Sequence, residues 1–194
     1  VEGNINNIGL QDIGVQSKND SISINNYCQT NISNIYAIGD VAGPPWLAHK
    51  ASAQGHMVAD LICGKRVHEI DYFNVPNCTY CQPQVASLGL TESKAKDLGH
   101  NIKVGKFFFR ASGKAMAVGN TFGFVKLIFD DRYGELIGAH IIGDGATEMI
   151  AELNLAKALE STWEDLAMTM HAHPTLSEAV MEAAMDAFGS AIHQ

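Results

Sequence analysis

The 194-residue chain has few basic residues and no long hydrophobic segment. Asp and Glu (21) outnumber Lys and Arg (13), and the formal net charge of −8 argues against a polyanionic partner, either nucleic acid or an anionic membrane. No apolar run approaches the length of a membrane span, and no signal peptide opens the sequence. With 46% hydrophobic and 18% charged residues, the composition is typical of a soluble globular protein, long enough for one domain and part of another.

Cysteine is also scarce. The four cysteines lack the density of a secreted disulfide scaffold, so we expect a reducing, cytoplasmic compartment, either a bacterial cytosol or a mitochondrial matrix. Cys78 and Cys81 have C-x-x-C spacing. A zinc site would need two further soft ligands, and a thioredoxin-like couple would sit at a helix N-terminus rather than before a strand. Two ordinary cysteines and no metal site are therefore expected.

The first third of the sequence contains one candidate binding residue. The chain opens on Val1 without an initiator methionine, which suggests a piece of a larger protein. Residues 1–33 indicate loops and short strands, with an edge strand at residues 21–24. Residues 35–38 are typical of a buried strand, and Asp40 follows it, where a carboxylate could accept hydrogen bonds from a polyol or ribose hydroxyl. An ordinary Gly-Asp turn is the alternative.

Helices and strands alternate over the rest of the sequence. Small and apolar residues at helical spacing predict a helix over residues 48–63, and another, capped by Thr91, up to Gly99. Strands are predicted at residues 85–88, 102–109, 122–129 and 136–142, with a turn at Gly113. A long amphipathic helix is expected over residues 146–160, and a short one begins after Ser161 and Thr162. Glycines at 138–145 lack the G-x-G-x-x-G spacing of a dinucleotide loop.

The sequence HAHPTLSE at residues 171–178 carries the main candidate for catalysis. Pro174 moves the residue before it out of the α region, and apolar residues then recur at helical spacing. His173 should therefore lie just outside a helix N-terminus and face a cleft, where the helix dipole favours a neutral ring able to accept a proton. A carboxylate from Glu178 on one ring nitrogen would fix the tautomer and stabilise the charged form.

Glu178 has a second interpretation. Thr175 and Glu178 also have the spacing of a capping box, in which both side chains satisfy the first free backbone donors of the helix. His171 is expected to pack or to support the site rather than to act as a catalyst, although nothing in the local sequence separates the two histidines.

The run at residues 171–178 resembles the C-terminal signature of dihydrolipoamide dehydrogenases, which belong to the pyridine nucleotide-disulfide oxidoreductases. Glutathione reductase shares the His-Pro core but resembles the flanking residues less well. In the family, the histidine before the proline is the acid/base and a glutamate five residues later pairs with it. The resemblance therefore implies these catalytic roles for His173 and Glu178, with the histidine acting on the partner subunit of a homodimer.

Residues 30–40 resemble the second FAD motif of the disulfide reductases, whose aspartate, here Asp40, binds the ribityl chain. Trp46, Leu47, Ala48 and His49 also match. In the family, the backbone there opens a helix towards the flavin ring, where amide donors and a positive dipole suit a reduced flavin. FAD and NAD are thus implied as cofactors of a longer parent. The family's redox cysteine pair and nucleotide-binding glycine motifs are not in this sequence.

By this resemblance the chain has three parts. Residues 1–32 end an NAD-binding domain, and residues 33–72 are the C-terminal part of an α/β FAD-binding domain. Residues 73–194 form an α+β interface domain, an antiparallel sheet with helices on one face. This is the domain through which the reductases dimerise.

The implied activity of the parent is oxidation of dihydrolipoyl groups with NAD⁺ in 2-oxo acid dehydrogenase complexes, with the dihydrolipoyl domain as partner. We expect the chain alone to be inactive and to bind FAD weakly or not at all. Two alternatives stay open. The parent could be another disulfide reductase, similar to glutathione or mercuric reductase, although the tail lacks the paired cysteines of the latter. The chain could also be a structural module for dimerisation.

Overall fold

The computed structural model describes residues 2–193, and the chain divides into two compact units. The first unit extends to Tyr72, and the second begins at Phe73. Each unit buries its own apolar side chains. In the described residues no helix is long and apolar enough to cross a membrane.

The first unit opens with a very short hairpin. Strands β1 (Ser17–Lys18) and β2 (Ser21–Ile22) pair antiparallel. Asn19 and Asp20 join them with φ of 51° and 56°, the left-handed conformation that Asn and Asp tolerate and that two-residue hairpin turns require. The strand predicted at residues 21–24 is therefore present but shorter, because pairing ends after Ile22.

The strand predicted at residues 35–38 was wrong. Tyr36 forms a single antiparallel bridge with Gln29, and Thr30 N–H donates to Ile35 O while Ala37 N–H donates to Cys28 O. The run is thus a short extended segment folded back on its neighbours. Its apolar residues indicated burial, but a strand also needs a partner long enough to continue the ladder.

Helix α1 (Ala48–Ile62) matches the prediction and is the main element of the first unit. Its buried face carries Lys50, Gln54, Met57 and Val58, which recur at helical spacing. The helix follows a 3₁₀ turn at Gly39–Ala42.

The second unit is built on a five-stranded antiparallel sheet with the strand order β3-β4-β7-β6-β5. The predicted strands are confirmed with small shifts at their ends. The strands are β3 (Asn77–Thr79), β4 (Gln84–Gly89), β5 (Ile102–Phe108), β6 (Phe124–Asp130) and β7 (Leu136–Gly143). Burial alternates along β4 and β5, whereas β6 and β7 contain consecutive buried residues; both patterns come from apolar runs that the sequence locates well.

Five helices accompany this sheet in the described residues. They are α2 (Glu92–Asp97), α3 (Gly113–Ala117), α4 (Ala146–Ala158), α5 (Trp163–Met168) and α6 (Glu178–Asp186). Helix α3 corrects the turn predicted at Gly113: Ser112 caps it by accepting a hydrogen bond from Ala115 N–H. A glycine at the first helical position looks like a turn signal unless the cap before it is recognised.

Helices cover both faces of the sheet, so the prediction of helices on one face was incomplete. Residues of α4, α5 and α6 pack against Leu127 and Phe129 in the main core. On the opposite face, Ala95 of α2 packs with Ile128 and Ile137 in a smaller cluster. The predicted α+β class with an antiparallel sheet is confirmed. The loop between α5 and α6 contains His173, and α6 begins with Glu178.

Candidate functional site

The loop between α5 and α6 presents His173 to solvent. Its side chain is 78% exposed, and the peptide bond between His173 and Pro174 is cis. Thr175 Oγ1 donates to Ala172 O at 2.7 Å and closes the loop locally. Helix α6 begins at Glu178, with Ser177 as its N-cap residue and no side-chain cap, so it starts later than a capping box of Thr175 and Glu178 would place it.

His173 and Glu178 are in direct contact. His173 Nδ1 lies 2.9 Å from Glu178 Oε1, and Glu178 Oε2 accepts a hydrogen bond from Thr175 N–H at 2.8 Å. One carboxylate therefore makes both contacts that the sequence presented as alternatives, one to the imidazole and one to a backbone donor before the helix. With Nδ1 donating to the carboxylate, Nε2 of His173 is the nitrogen left to accept a proton.

Glu178 is held in its charged form. Burial alone would raise the pKa of its carboxyl, but hydrogen bonds from Thr175 and His173, with the charge of a protonated imidazole, outweigh burial and bring the pKa below its usual value. Its place in the first turn of α6 also favours a negative charge, because the N-terminal end of a helix dipole is positive. An ionised Glu178 can stabilise an imidazolium at His173.

A cleft of about 280 Å³ adjoins this pair, and we call it the His173 cleft. Its walls include Phe107, Met116 and Met181, with His193 at its side. The geometry suits an acid/base that acts on a group placed at a partly apolar surface.

A second histidine–carboxylate pair, missed from the sequence, lines the same cleft. Glu182 is one helical turn after Glu178 and is buried. It accepts hydrogen bonds from the backbone N–H groups of Ile192 and His193 and lies 2.6 Å from His193 Nδ1. It thus holds the C-terminal segment against α6. The only signal in the sequence was its spacing of four from Glu178.

The predicted flavin-binding residues lie together around the start of α1. Asp40 is exposed in the 3₁₀ turn, Trp46 is partly exposed, and Leu47 is the N-cap residue of α1 without a side-chain cap. Ala48 and His49 form the first exposed turn of the helix. An exposed carboxylate and an uncapped helix N-terminus fit a group with hydroxyls and an electron-rich ring, as FAD has.

Two buried polar side chains, missed from the sequence, hold the turn that carries Asp40. Lys50 Nζ donates to Gly39 O at 3.1 Å and to Gly43 O at 2.7 Å. Gln54 Oε1 accepts from Gly39 N–H at 2.8 Å. Burial lowers the pKa of Lys50, opposed by the charges of Asp40 and Cys28.

The C-x-x-C cysteines are both free thiols. Cys78 lies within β3, and Cys81 is exposed in the turn before β4, so neither stands at a helix N-terminus. In the described part of the chain, no group of three or more His, Cys, Asp or Glu side chains is placed to hold a metal ion.

Comparison with known proteins gives relatives along the full chain. Dihydrolipoyl dehydrogenases from Rhizobium etli and Bacillus subtilis are 50% and 47% identical over 194 and 192 residues, which is 100% and 99% of this chain. The chain spans about 40% of the length of these curated relatives.

Solved structures agree with this match. LpdA from Mycobacterium tuberculosis superimposes with a TM-score of 0.89 at 26% identity, over 94% of this chain and 40% of that one. The flavoprotein disulfide reductase RclA from Escherichia coli has the same fold, with a TM-score of 0.83 at 23% identity, over 90% of this chain and 41% of its own.

Two family models match the chain. Residues 1–55 match the pyridine nucleotide-disulphide oxidoreductase model, and residues 75–184 match the dimerisation domain of the same group. The dimerisation model covers more than half of the chain and includes His173 and Glu178. The chain therefore belongs to the pyridine nucleotide-disulphide oxidoreductase family and contains its dimerisation domain.

Proposed function

We propose that this chain is the C-terminal part of a dihydrolipoyl dehydrogenase, in which His173 and Glu178 form the acid/base pair. The observation that carries the proposal is the 2.9 Å contact between His173 Nδ1 and Glu178 Oε1, made by a ring that is 78% exposed. The identity of about 50% to dihydrolipoyl dehydrogenases supports this substrate class over glutathione or a metal ion.

In the proposed mechanism, His173 Nε2 removes a proton from one thiol of a dihydrolipoyl group. Glu178 stabilises the imidazolium that forms. The resulting thiolate attacks a disulfide of the parent enzyme, forms a mixed disulfide and releases the other sulfur as a thiolate. The second substrate thiol, on losing its proton, attacks the substrate sulfur of the mixed disulfide, closes the lipoyl disulfide and releases the enzyme sulfur as a second thiolate, so two electrons reach the enzyme. FAD and NAD⁺, held mainly by other parts of the parent, would supply the redox chemistry that takes up these electrons.

We also propose that the parent is a homodimer, with the substrate carried on a dihydrolipoyl domain. The second unit exposes large apolar side chains between α4 and the loop before α6: Leu155, Leu159, Met168 and Met170. Met170 is 96% exposed, and such side chains are usually covered by a partner. A second copy is the natural cover for a dimerisation domain. In sedimentation velocity, Leu159→Asp should dissociate the dimer, whereas Leu98→Asp on exposed α2 should not.

A chimera tests the catalytic proposal directly. This chain would replace the matching C-terminal part of the Rhizobium etli enzyme, and NADH formation from dihydrolipoamide would be followed. His173→Gln and Glu178→Gln should each lower turnover, the first by roughly 10²–10⁴-fold, as loss of a general base does. His100→Gln is the matched control, because His100 also contacts a carboxylate, Asp130, at 3.1 Å but lies outside the cleft.

The opposite results would reject the proposal. If His173→Gln left turnover at the level of His100→Gln, the chain would act only as a dimerisation module. If the chimera preferred glutathione disulfide with NADPH as substrates, the result would support the alternative that the parent is another disulfide reductase. The chain by itself should remain colourless after purification with added FAD and show no lipoamide activity.

A further inference from the structure

His171, two residues before the exposed His173, is held at both ring nitrogens. Its side chain is only 6% exposed. Nδ1 lies 3.0 Å from the carbonyl oxygen of Thr169, and Nε2 lies 2.6 Å from Glu152 Oε1. A carbonyl only accepts, so Nδ1 donates; the contact with Glu152 then needs a second proton between the ring and the carboxylate. That proton is shared between the ring and the carboxylate, so the 2.6 Å contact is a charge-assisted hydrogen bond.

These contacts join three elements. Thr169 is the C-cap residue of α5, Glu152 lies on α4, and His171 belongs to the loop that leads to α6. Residues 169–177 contain no helix or strand, so side-chain anchors set the direction of this loop. A short hydrogen bond between a charged ring and a carboxylate is among the stronger kinds available. His171 is therefore the main internal anchor on the α4 side of His173.

We propose that His171 is a positioning residue, which together with Glu152 fixes the loop so that His173 Nδ1 meets Glu178. The catalytic meaning of this inference rests on the function proposed above. The structural part stands separately, because it concerns only where the His173 ring points and which of its nitrogens carries the proton.

Electrostatics reinforces the geometry. A charged His171 is one of the groups that lower the pKa of Glu178, after the larger effects of burial, which opposes the shift, and of the contacts with Thr175 and His173. The charged groups that face His171 are Glu152 from α4 and Glu178 from α6.

The tautomer of His173 provides the test. In the 194-residue chain labelled with ¹⁵N, long-range ¹H–¹⁵N spectra recorded with the His173 ring neutral report which ring nitrogen carries the proton. We expect the Nδ1–H form in the native chain, because Glu178 accepts from Nδ1. His171→Phe keeps a ring but removes both anchors, and Glu152→Ala removes one. Both should lose the Nδ1–H signature of His173.

Two further variants serve as controls for the loss of the contact between His171 and Glu152. Glu152→Gln retains an acceptor oxygen and should preserve the signature, whereas His100→Phe removes a histidine–carboxylate contact elsewhere and should not affect it. Retention of the Nδ1–H form in Glu152→Ala would overturn the proposal, even if His171→Phe failed to fold. Loss of that form in His100→Phe would also overturn it, because the effect would then be general. No turnover enters these measurements, so their failure is distinct from failure of the proposed enzyme function.

Discussion

Helix α6 lies so close to β5 that a single added carbon at Gly105 should displace it. A Cβ at this position would overlap the carbonyl oxygen of Ala183 and come within 2.6 Å of Ala187 N. Both are backbone atoms, so no side-chain rotation relieves the clash. Overpacking of this kind lowers the free energy of unfolding by about 1–3 kcal/mol. Replacing glycine by alanine also lowers the entropy of the unfolded chain, which raises the free energy of unfolding by about 0.4–1 kcal/mol. We expect Gly105→Ala to lower the free energy of unfolding by roughly 1–2 kcal/mol.

Urea unfolding measures this loss when the probe reports on the second unit alone. Trp163 suits the purpose because its ring stacks on Phe188 at 4.4 Å, just after α6, and Trp46→Phe removes the other tryptophan. Gly113→Ala is the matched control, since nothing lies within 4 Å of its Cβ position, and it should stabilise by up to about 1 kcal/mol. If both variants shifted the midpoint equally, the close approach of α6 to β5 would be refuted.

Two further predictions concern buried ionisable groups. Burial lowers the pKa of His140, opposed by its contact with the carbonyl of Leu90; protonation therefore favours unfolding, and the second unit should lose stability as the pH falls below about 6.5. His140→Gln should flatten that dependence, and an unchanged slope in urea midpoints against pH would contradict it. Lys50→Met leaves the carbonyls of Gly39 and Gly43 without their donor, so we expect a loss of roughly 1–3 kcal/mol in the first unit. The loss is measured by urea unfolding followed by Trp46 fluorescence in a Trp163→Phe background. An unchanged urea midpoint would contradict the proposed role of Lys50 in holding the turn.

The sequence predicted most of the second unit because four of its strands are apolar runs of six to eight residues, some alternating and some buried over several consecutive positions. It failed where local signals are shared by several structures. The apolar run at residues 35–38 indicated burial, but whether a strand forms depends on a partner, and only a single bridge to Gln29 is present. Helix α3 was missed because Gly113 opens it, and a glycine after Ser112 is equally typical of a turn.

The residues of the candidate site were also predicted only in part. His173 and Glu178 are five residues apart; the local sequence offered both a contact between them and a capping box, and the family resemblance implied the contact. Glu152 was not predictable as a partner of His171, because the two are brought together only by the packing of the loop on α4. The role of Lys50 was also not predictable, because a lysine is expected on the surface and this one is buried.

Glu178 shows that a contact with a backbone donor and a contact with an imidazole need not compete for one residue. A carboxylate has two oxygens; here Oε2 accepts from Thr175 N–H and Oε1 contacts His173. The backbone contact fixes the rotamer of the side chain, so the second oxygen is already oriented towards the imidazole at no further cost in side-chain entropy. The same contact ties the orientation of the His173 ring to the position of α6. Because the backbone of α6 also approaches Gly105 of β5 closely, a shift of the helix on the sheet would carry Glu178 with it.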